Sequence, residues 1–355
     1  MPLNVAVSKA TKYPDFLDET DVLIIDEISM LRIDFFDRVM QTIALANSSP
    51  DRKKSKDIQL IFCGDFFQLT SIIKTEDREI LSEYYGKDIG FGFCFQSEYW
   101  KSFSVKTIML KEVMRQKGDE KFCEALEKCK LGNKECIAYY NEKFSKSEIK
   151  NAIWVCGKNA TVADINARYL GEVKGKLYTF TAEYSGEATR SDNLCDHVFE
   201  CKVGARVMLL KNDCDMRYQN GSLGTVKKIS RKTIEVVLDE SGESVTIEKA
   251  KFPKMTYEEE VVIDKKTHEV KSALVANEIG CAEQFPIRLG YAVTVHKAQG
   301  QTFDKMNFEP QIFAVAQLYV ALSRCKKIEN IYSTKPLTAS MIRCAKPVKE
   351  FYSEE

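Results

Sequence analysis

The stretch VLIIDEISML, residues 22–31, runs four apolar residues directly into two carboxylates. Val22, Leu23, Ile24 and Ile25 suit a strand buried on both faces. Asp26 and Glu27 then fall where that strand ends, the edge at which open α/β sheets receive ligands. Nucleotide-hydrolysing enzymes use such a pair, one acid for Mg2+ and its neighbour for the attacking water. A helix cap or a solvated turn would place acids there too. Such enzymes also need an upstream glycine-rich loop with a lysine to cradle the phosphates. The twenty-one residues before Val22 contain no glycine, so Lys9 in VSKAT sits in no such loop.

Outward from this stretch the chain alternates strand and helix. IQLIFCGD (58–65) reads as a second strand, and DFFDRVMQTIALA (34–46) between the two as an amphipathic helix, together a βαβ unit. NSSPDRKKSKD (47–57) reads as a solvated loop. KTIMLKEVMRQ (106–116) opens a second region with a further strand. EKFCEALEKCKLG (120–132) has helical spacing and ends on Gly132, a plausible cap. NAIWVCGKN then gives a strand and ATVADINARYL a helix. From about 198 the texture changes to short strands and turns, in ARVMLL, NGSLGTVKKI and TIEVVLDESGESVTIEK. Their Asn-Gly and Ser-Gly steps are hairpin signals and suit a small β-barrel. At about 284 the helix-and-strand pattern returns, so an α/β protein is interrupted by a β insertion.

Composition excludes several classes. With 355 residues, two or three domains are expected. The formal net charge is zero, so any nucleic-acid surface must be local. No apolar run reaches membrane-spanning length, and the N-terminus lacks a signal peptide's order of basic then apolar residues. The twelve cysteines form no C-x-x-C pair and have three histidines as possible co-ligands, which sets zinc aside. Reduced thiols in an intracellular compartment are expected, in cytoplasm or nucleus, with the mitochondrion open.

Four further stretches carry chemistry. GDFFQL (64–69) ends the second strand. Its Gly64 permits a tight turn, Asp65 can hold the loop, and Gln68 can reach a terminal phosphate without adding negative charge. Phe66 and Phe67 read as packing residues. VMRQ (113–116) puts Arg115 just after a strand, able to stabilise charge on a transferring phosphoryl group. YAVTVHKAQGQTF (291–303) follows a helix-like apolar segment. It gathers His296, Lys297, Gln299 and Gln301 around Gly300, a cluster suited to the phosphates and sugars of a strand. QLYVALSRCKK (317–327) has helical spacing with Leu318, Val320, Ala321 and Leu322 inward, followed by Arg324 as a second candidate for the nucleotide.

Taken in order, these residues resemble the PIF-type branch of superfamily 1 DNA helicases, kin of the RecD-like helicases. LIIDEISML is similar to helicase motif II, GDFFQL to motif III, LKEVMRQ to motif IV, TVHKAQGQTF to motif V and YVALSRCK to motif VI. VGARVMLLKN with NGSLGTV is similar to the entry into that family's SH3-like insertion. The resemblance implies an α/β fold of two RecA-like P-loop NTPase-type domains, the first incomplete, with a small SH3-like β-barrel insertion in the second. It divides the chain into a partial first domain (1–110), a second domain in two parts (111–197 and 284–355) and the insertion (198–283).

The implied activity is ATP-dependent helicase action, stepping 5′ to 3′ along single-stranded DNA. The implied pathways are DNA repair, recombination, replication or telomere maintenance. ATP and Mg2+ are the implied cofactors, and single-stranded DNA and DNA junctions the implied partners. Asp26 would hold Mg2+, Glu27 activate water, Gln68 sense the γ-phosphate, and Arg115 and Arg324 act as arginine fingers. Gly300 would line the nucleotide, while His296, Lys297, Gln299 and Gln301 would grip DNA and couple that grip to ATP state.

Two departures qualify the match. The proline pair that commonly follows motif III is replaced by QLTSI, and the phosphate loop is missing upstream of motif II. The chain is accordingly expected to be a C-terminal fragment with compromised ATP hydrolysis and an exposed sheet edge. The alternatives are a non-catalytic binder of single-stranded DNA, or half of a split helicase whose phosphate loop comes from a separate chain.

Overall fold

The computed structural model describes residues 15–50, 54, 56–263 and 270–353. Lys9, and residues 51–53 and 55 of the expected solvated loop, lie outside the described residues.

The opening stretch forms strand β1 (Val22–Ile25), and a crossover through helix α1 (Ile33–Asn47) leads to β2 (Gln59–Phe62). The two strands pair in parallel, Val22 opposite Gln59 and Ile25 opposite Phe62. Helix α1 forms where the periodicity places it, because Ile33, Phe36, Met40, Ile43 and Ala46 recur every three or four residues and make one apolar stripe. That stripe packs against Leu23, Ile25, Leu60 and Phe62.

The other face of the pair is open. Ile24 is 61% exposed, and Val22 and Ile61 are exposed with it. The expectation of a strand buried on both faces is therefore corrected to one face. Among the described residues a helix covers a single side of this sheet.

Helices α2 (Thr75–Tyr85) and α3 (Glu98–Ser102) follow, and α3 brings Trp100 onto Phe36 and Phe62. The expected strand in KTIMLKEVMRQ does not form. Residues 103–114 run without strand pairing, leaving Leu110 92% exposed and Ile108, Met109 and Met114 exposed beside it. An extended apolar run becomes a strand where a ladder partner lies alongside, and among the described residues none does. Arg115 therefore follows an unpaired segment.

Helices α4 (Glu120–Lys130) and α5 (Cys136–Lys143) lead into β3 (Ile153–Cys156) and α6 (Asn159–Glu172). After α6 the chain turns antiparallel. Strands β4 (Tyr178–Thr181) and β6 (Val198–Cys201) pair with each other, and β5 (Glu183–Gly186) joins a long ribbon of β11 (Ala250–Ile263) and β12 (Val270–Gln284). A five-stranded sheet runs in the order β10 (Ser244–Glu248), β9 (Thr233–Leu238), β8 (Leu223–Ile229), β7 (Arg206–Leu209), β13 (Ile287–Leu289). Its strands alternate buried and exposed residues, with Ile234, Val236, Leu238, Val245 and Ile247 in one core. The ribbon was not legible from the short-strand texture.

The α/β pattern resumes with β14 (Ala292–Thr294), α7 (Val295–Ala298), β15 (Met306–Glu309), α8 (Gln317–Leu322) and β16 (Ile331–Ser333). The segment before His296, read as helix-like, is thus a short strand. Strands β14, β3, β15 and β16 form a parallel sheet in that order, with every residue of β3 buried. Helix α9 (Lys346–Ser353) then crosses back, and Ala345 and Val348 enter the same core as Phe36 and Met40. All twelve cysteines are free. Among the described residues no helix is long and apolar enough to cross a membrane.

Candidate active site

Asp26 and Glu27 sit at the carboxyl end of β1, and the backbone there is held in an unusual shape. Glu27 adopts φ 49°, ψ 46°, and Asp26 Oδ1 accepts a hydrogen bond from its N–H at 2.8 Å. A non-glycine residue in the left-handed region is strained and persists where the surroundings over-determine it. Here the next amide, Ile28 N–H, donates to Cys63 O at 2.9 Å, fastening the turn to the end of β2. Gly64 makes this approach possible: at φ 151° a Cβ would stand 2.9 Å from Ile28 N.

The second acidic loop leaves β2 at Gly64. Asp65 accepts from the Phe67 amide at 2.9 Å, and its carbonyl accepts from Gln68 N–H at 2.9 Å. Burial pushes the Asp65 carboxyl up, against the lowering pull of the Phe67 amide and Lys130. Phe66 and Phe67 are buried as packing residues. Gln68 Oε1 is buried with no hydrogen-bond partner.

From the second parallel sheet comes a set of amides and guanidiniums. Gln299 Nε2 donates to Glu27 Oε2 at 3.0 Å, joining residues 272 apart in sequence. Its own Oε1 is buried without a partner. Arg115 Nε donates to Thr302 Oγ1 at 2.8 Å and its Nη1 to Ser323 O at 3.2 Å. Arg324 is 3% exposed. Its Nε donates to Val320 O at 3.0 Å and its Nη2 to Ser323 Oγ at 2.8 Å.

Neither guanidinium forms an ion pair among the described residues. Burial, then the charge of Arg115, brings Arg324 down to about 10, with Tyr319, Glu27 and Asp65 opposing. Burial likewise lowers Arg115. A buried cation, Arg324, beside a half-buried one, Arg115, with no carboxylate partner is costly unless an anion joins them.

The remaining residues fall into a second group. Thr294 Oγ1 caps α7 by accepting from Lys297 N–H at 3.3 Å. Lys297 and Gly300 are exposed, His296 and Gln301 half-buried. Burial lowers the His296 imidazole below its usual value, favouring the neutral ring. Gln301 lies against the turn before β8, where a Cβ on Gly221 would meet its Nε2 at 2.5 Å. The structure therefore brings Glu27, Gln299, Arg115 and Arg324 together, with Gln68 and Asp65 alongside. Gln299, expected to grip DNA and couple that grip to ATP state, contacts the acid in this structure.

Sequence reasoning missed Gln116, which is buried and donates to Ser323 O at 2.9 Å and Cys325 O at 2.8 Å. Its signal was available: a glutamine beside Arg115 in an apolar setting, able to steady the loop that carries Arg324. Tyr319, half-buried beside both arginines, was hidden among the apolar residues of α8.

Comparison with known proteins agrees with this geometry. The profile of PIF1-like helicases matches residues 3–135. The crystal structure of Pif1 helicase from Bacteroides in complex with ADP-AlF3 and single-stranded DNA superposes with a TM-score of 0.74 and 31% identity, over 97% of this chain and 78% of that one. The chain belongs to the PIF1-like helicases. Within this family, the ATP-dependent DNA helicase Pif1 of Campylobacter jejuni is 27% identical, over 98% of this chain and 78% of the relative. Human ATP-dependent DNA helicase PIF1 is 30% identical over 93% of this chain, which spans 48% of that relative's length.

Proposed function

We propose that this chain carries the ATP-hydrolysing and strand-gripping machinery of a DNA helicase, stepping along single-stranded DNA in repair, recombination or replication. The observation that carries this reading is the pair of guanidiniums without a carboxylate partner, half-buried Arg115 and buried Arg324, set near Glu27. A terminal phosphate supplies the anion they lack. The orphaned Oε1 atoms of Gln68 and Gln299 fit an attacking water and the hydration around it. The residues thus fit the γ-phosphate half of Mg2+–ATP, with Asp26 to hold the metal. When bound, Mg2+ neutralises charge on the β- and γ-phosphates.

The chain's own residues do the rest. Glu27 takes the proton of the attacking water through Oε1 while Gln299 holds Oε2, so the base is aimed by a residue of the other sheet. Gln68 orients that water, and the two arginines stabilise charge as it spreads over the equatorial oxygens. His296, Lys297 and Gln301 are assigned to the strand, and Gly300 to close backbone approach at the nucleotide. We assign residues 1–110 to the first domain, 111–197 and 284–355 to the second, and 198–283 to the SH3-like insertion. The free thiols support a reducing compartment.

ATP turnover with and without single-stranded DNA tests the reading. Glu27→Gln and Arg324→Ala are each expected to lower the DNA-stimulated rate by about 10³-fold. Turnover that survives Glu27→Gln overturns the assignment. A second reading, in which a separate chain supplies the phosphate loop, is favoured by the open apolar residues Ile24, Ile61, Ile108 and Leu110. Co-expression with a chain bearing a strand and a phosphate loop, then recovery of both in one complex with raised turnover, separates the two.

A further inference from the structure

The loop that carries Gln68 is gripped by a helix from the far end of the chain. The Phe66 N–H donates to Tyr352 Oη at 3.3 Å across 286 residues of sequence. The Phe67 ring stacks on the Tyr352 ring at 5.0 Å with an interplanar angle of 11°. Lys130 Nζ, on α4, lies 5.1 Å from the centroid of the same Phe67 ring. Phe66 is wedged between Phe95 at 4.8 Å and Phe351 at 5.3 Å, so two successive loop residues are anchored to α9. The next residue is Gln68, whose Oε1 is buried and unpartnered.

A hydrogen bond to the backbone fixes where the loop stands, and a near-parallel stack fixes how it is rotated. Neither restraint comes from β1 or β2. The amides of Phe67 and Gln68 are spent on Asp65 within the loop, which shapes the turn and leaves its placement free. We propose that Tyr352 is a positioning residue for Gln68, with α9 as the strap that sets the glutamine at the γ-phosphate. This rests on the role proposed for Gln68. The strap starts in the segment after β16 and ends in the core of the first sheet, so the placement of Gln68 is tied to chain that follows the second α/β part.

Two variants separate positioning from packing in the full 355-residue chain, with Val348→Ala as a packing control on the same helix. Tyr352→Phe keeps the stack and removes the acceptor. Hydrogen exchange at the Phe66 amide is then expected to speed up about fivefold, with Gln68 unchanged. Tyr352→Ala removes both, and exchange at Phe66, Phe67 and Gln68 is expected to rise at least tenfold. In Val348→Ala the loop amides keep pace with those of β1 and β2.

Affinity for Mg2+–ATPγS against Mg2+–ADP gives a readout that packing alone does not move. Tyr352→Ala brings the ratio toward one at unchanged ADP affinity, and Tyr352→Phe restores it. A wild-type ratio in Tyr352→Ala, or unchanged loop exchange, overturns the proposal. Should the wild-type chain bind neither nucleotide, the reading of Gln68 at a γ-phosphate falls, and the proposal with it. Exchange then reports separately whether Tyr352 holds the loop.

Discussion

The two parallel sheets of this protein are built from similar strands and end up in opposite conditions. In the second sheet every residue of β3 is buried between helices, and Phe308 on β15 is fully enclosed. In the first, β1 and β2 share one covered face and leave Val22, Ile24 and Ile61 on the other. The carboxylates lie at the end of the open sheet, and the arginines lie on loops packed against Ser323, after α8 of the closed one. The division shows that a site residue's geometry need not depend on the completeness of its own sheet. Glu27 is fixed locally by its turn onto Cys63, and remotely by Gln299.

The contrast can be broken first by cavity formation. Phe308→Ala is expected to cost about 3–5 kcal/mol, since the site is enclosed on all sides. Ile24→Thr on the open face is expected to stay within about 0.5 kcal/mol. Urea midpoints at constant m-value decide this, and equal losses would mean that the face of β1 is covered in solution.

A smaller effect is expected at the bridge between the sheets. Gln299→Ala removes the hydrogen bond that aims Glu27, between two half-buried side chains. Any ATP turnover should fall about tenfold or more while the urea midpoint moves little. A variant at full rate would detach Gln299 from the base.

The least effect belongs to His296. Burial lowers its folded-state pKa below the usual 6.5, so the unfolded chain binds the extra proton. Stability is full above about pH 6.5 and declines as pH falls toward the depressed value. His296→Gln should flatten that limb of a pH series of urea midpoints, leaving the curve above pH 7 unchanged.

Much of the architecture could be read from local pattern. Helix α1 announces itself through residues 33, 36, 40 and 43, and the β9–β10 hairpin through its alternation and its Ser241–Gly242 turn. Asp26 and Glu27 are legible because a buried-type strand stops on them. What local pattern left unread depended on distant partners. Residues 106–114 have a strand's composition, yet strand formation is decided by a neighbour that no local window contains. Gln299 was assigned to DNA from its polar company, and its bond to Glu27 arises from chain 272 residues away. Helix α9 gave no warning of its destination, because eight residues of mixed character do not reveal which core they enter.

That destination bears on biosynthesis. The aromatic nest around Phe66 stays unfinished until Tyr352 leaves the ribosome, 286 residues later. At roughly 5–20 residues per second this is a wait of about 15–60 s, during which Phe66, Phe67 and Trp100 lack their last covering. The core beside the first sheet is completed long after its strands are made. A chaperone that shields aromatic segments of nascent chains would therefore find residues 62–100 uncovered throughout that interval.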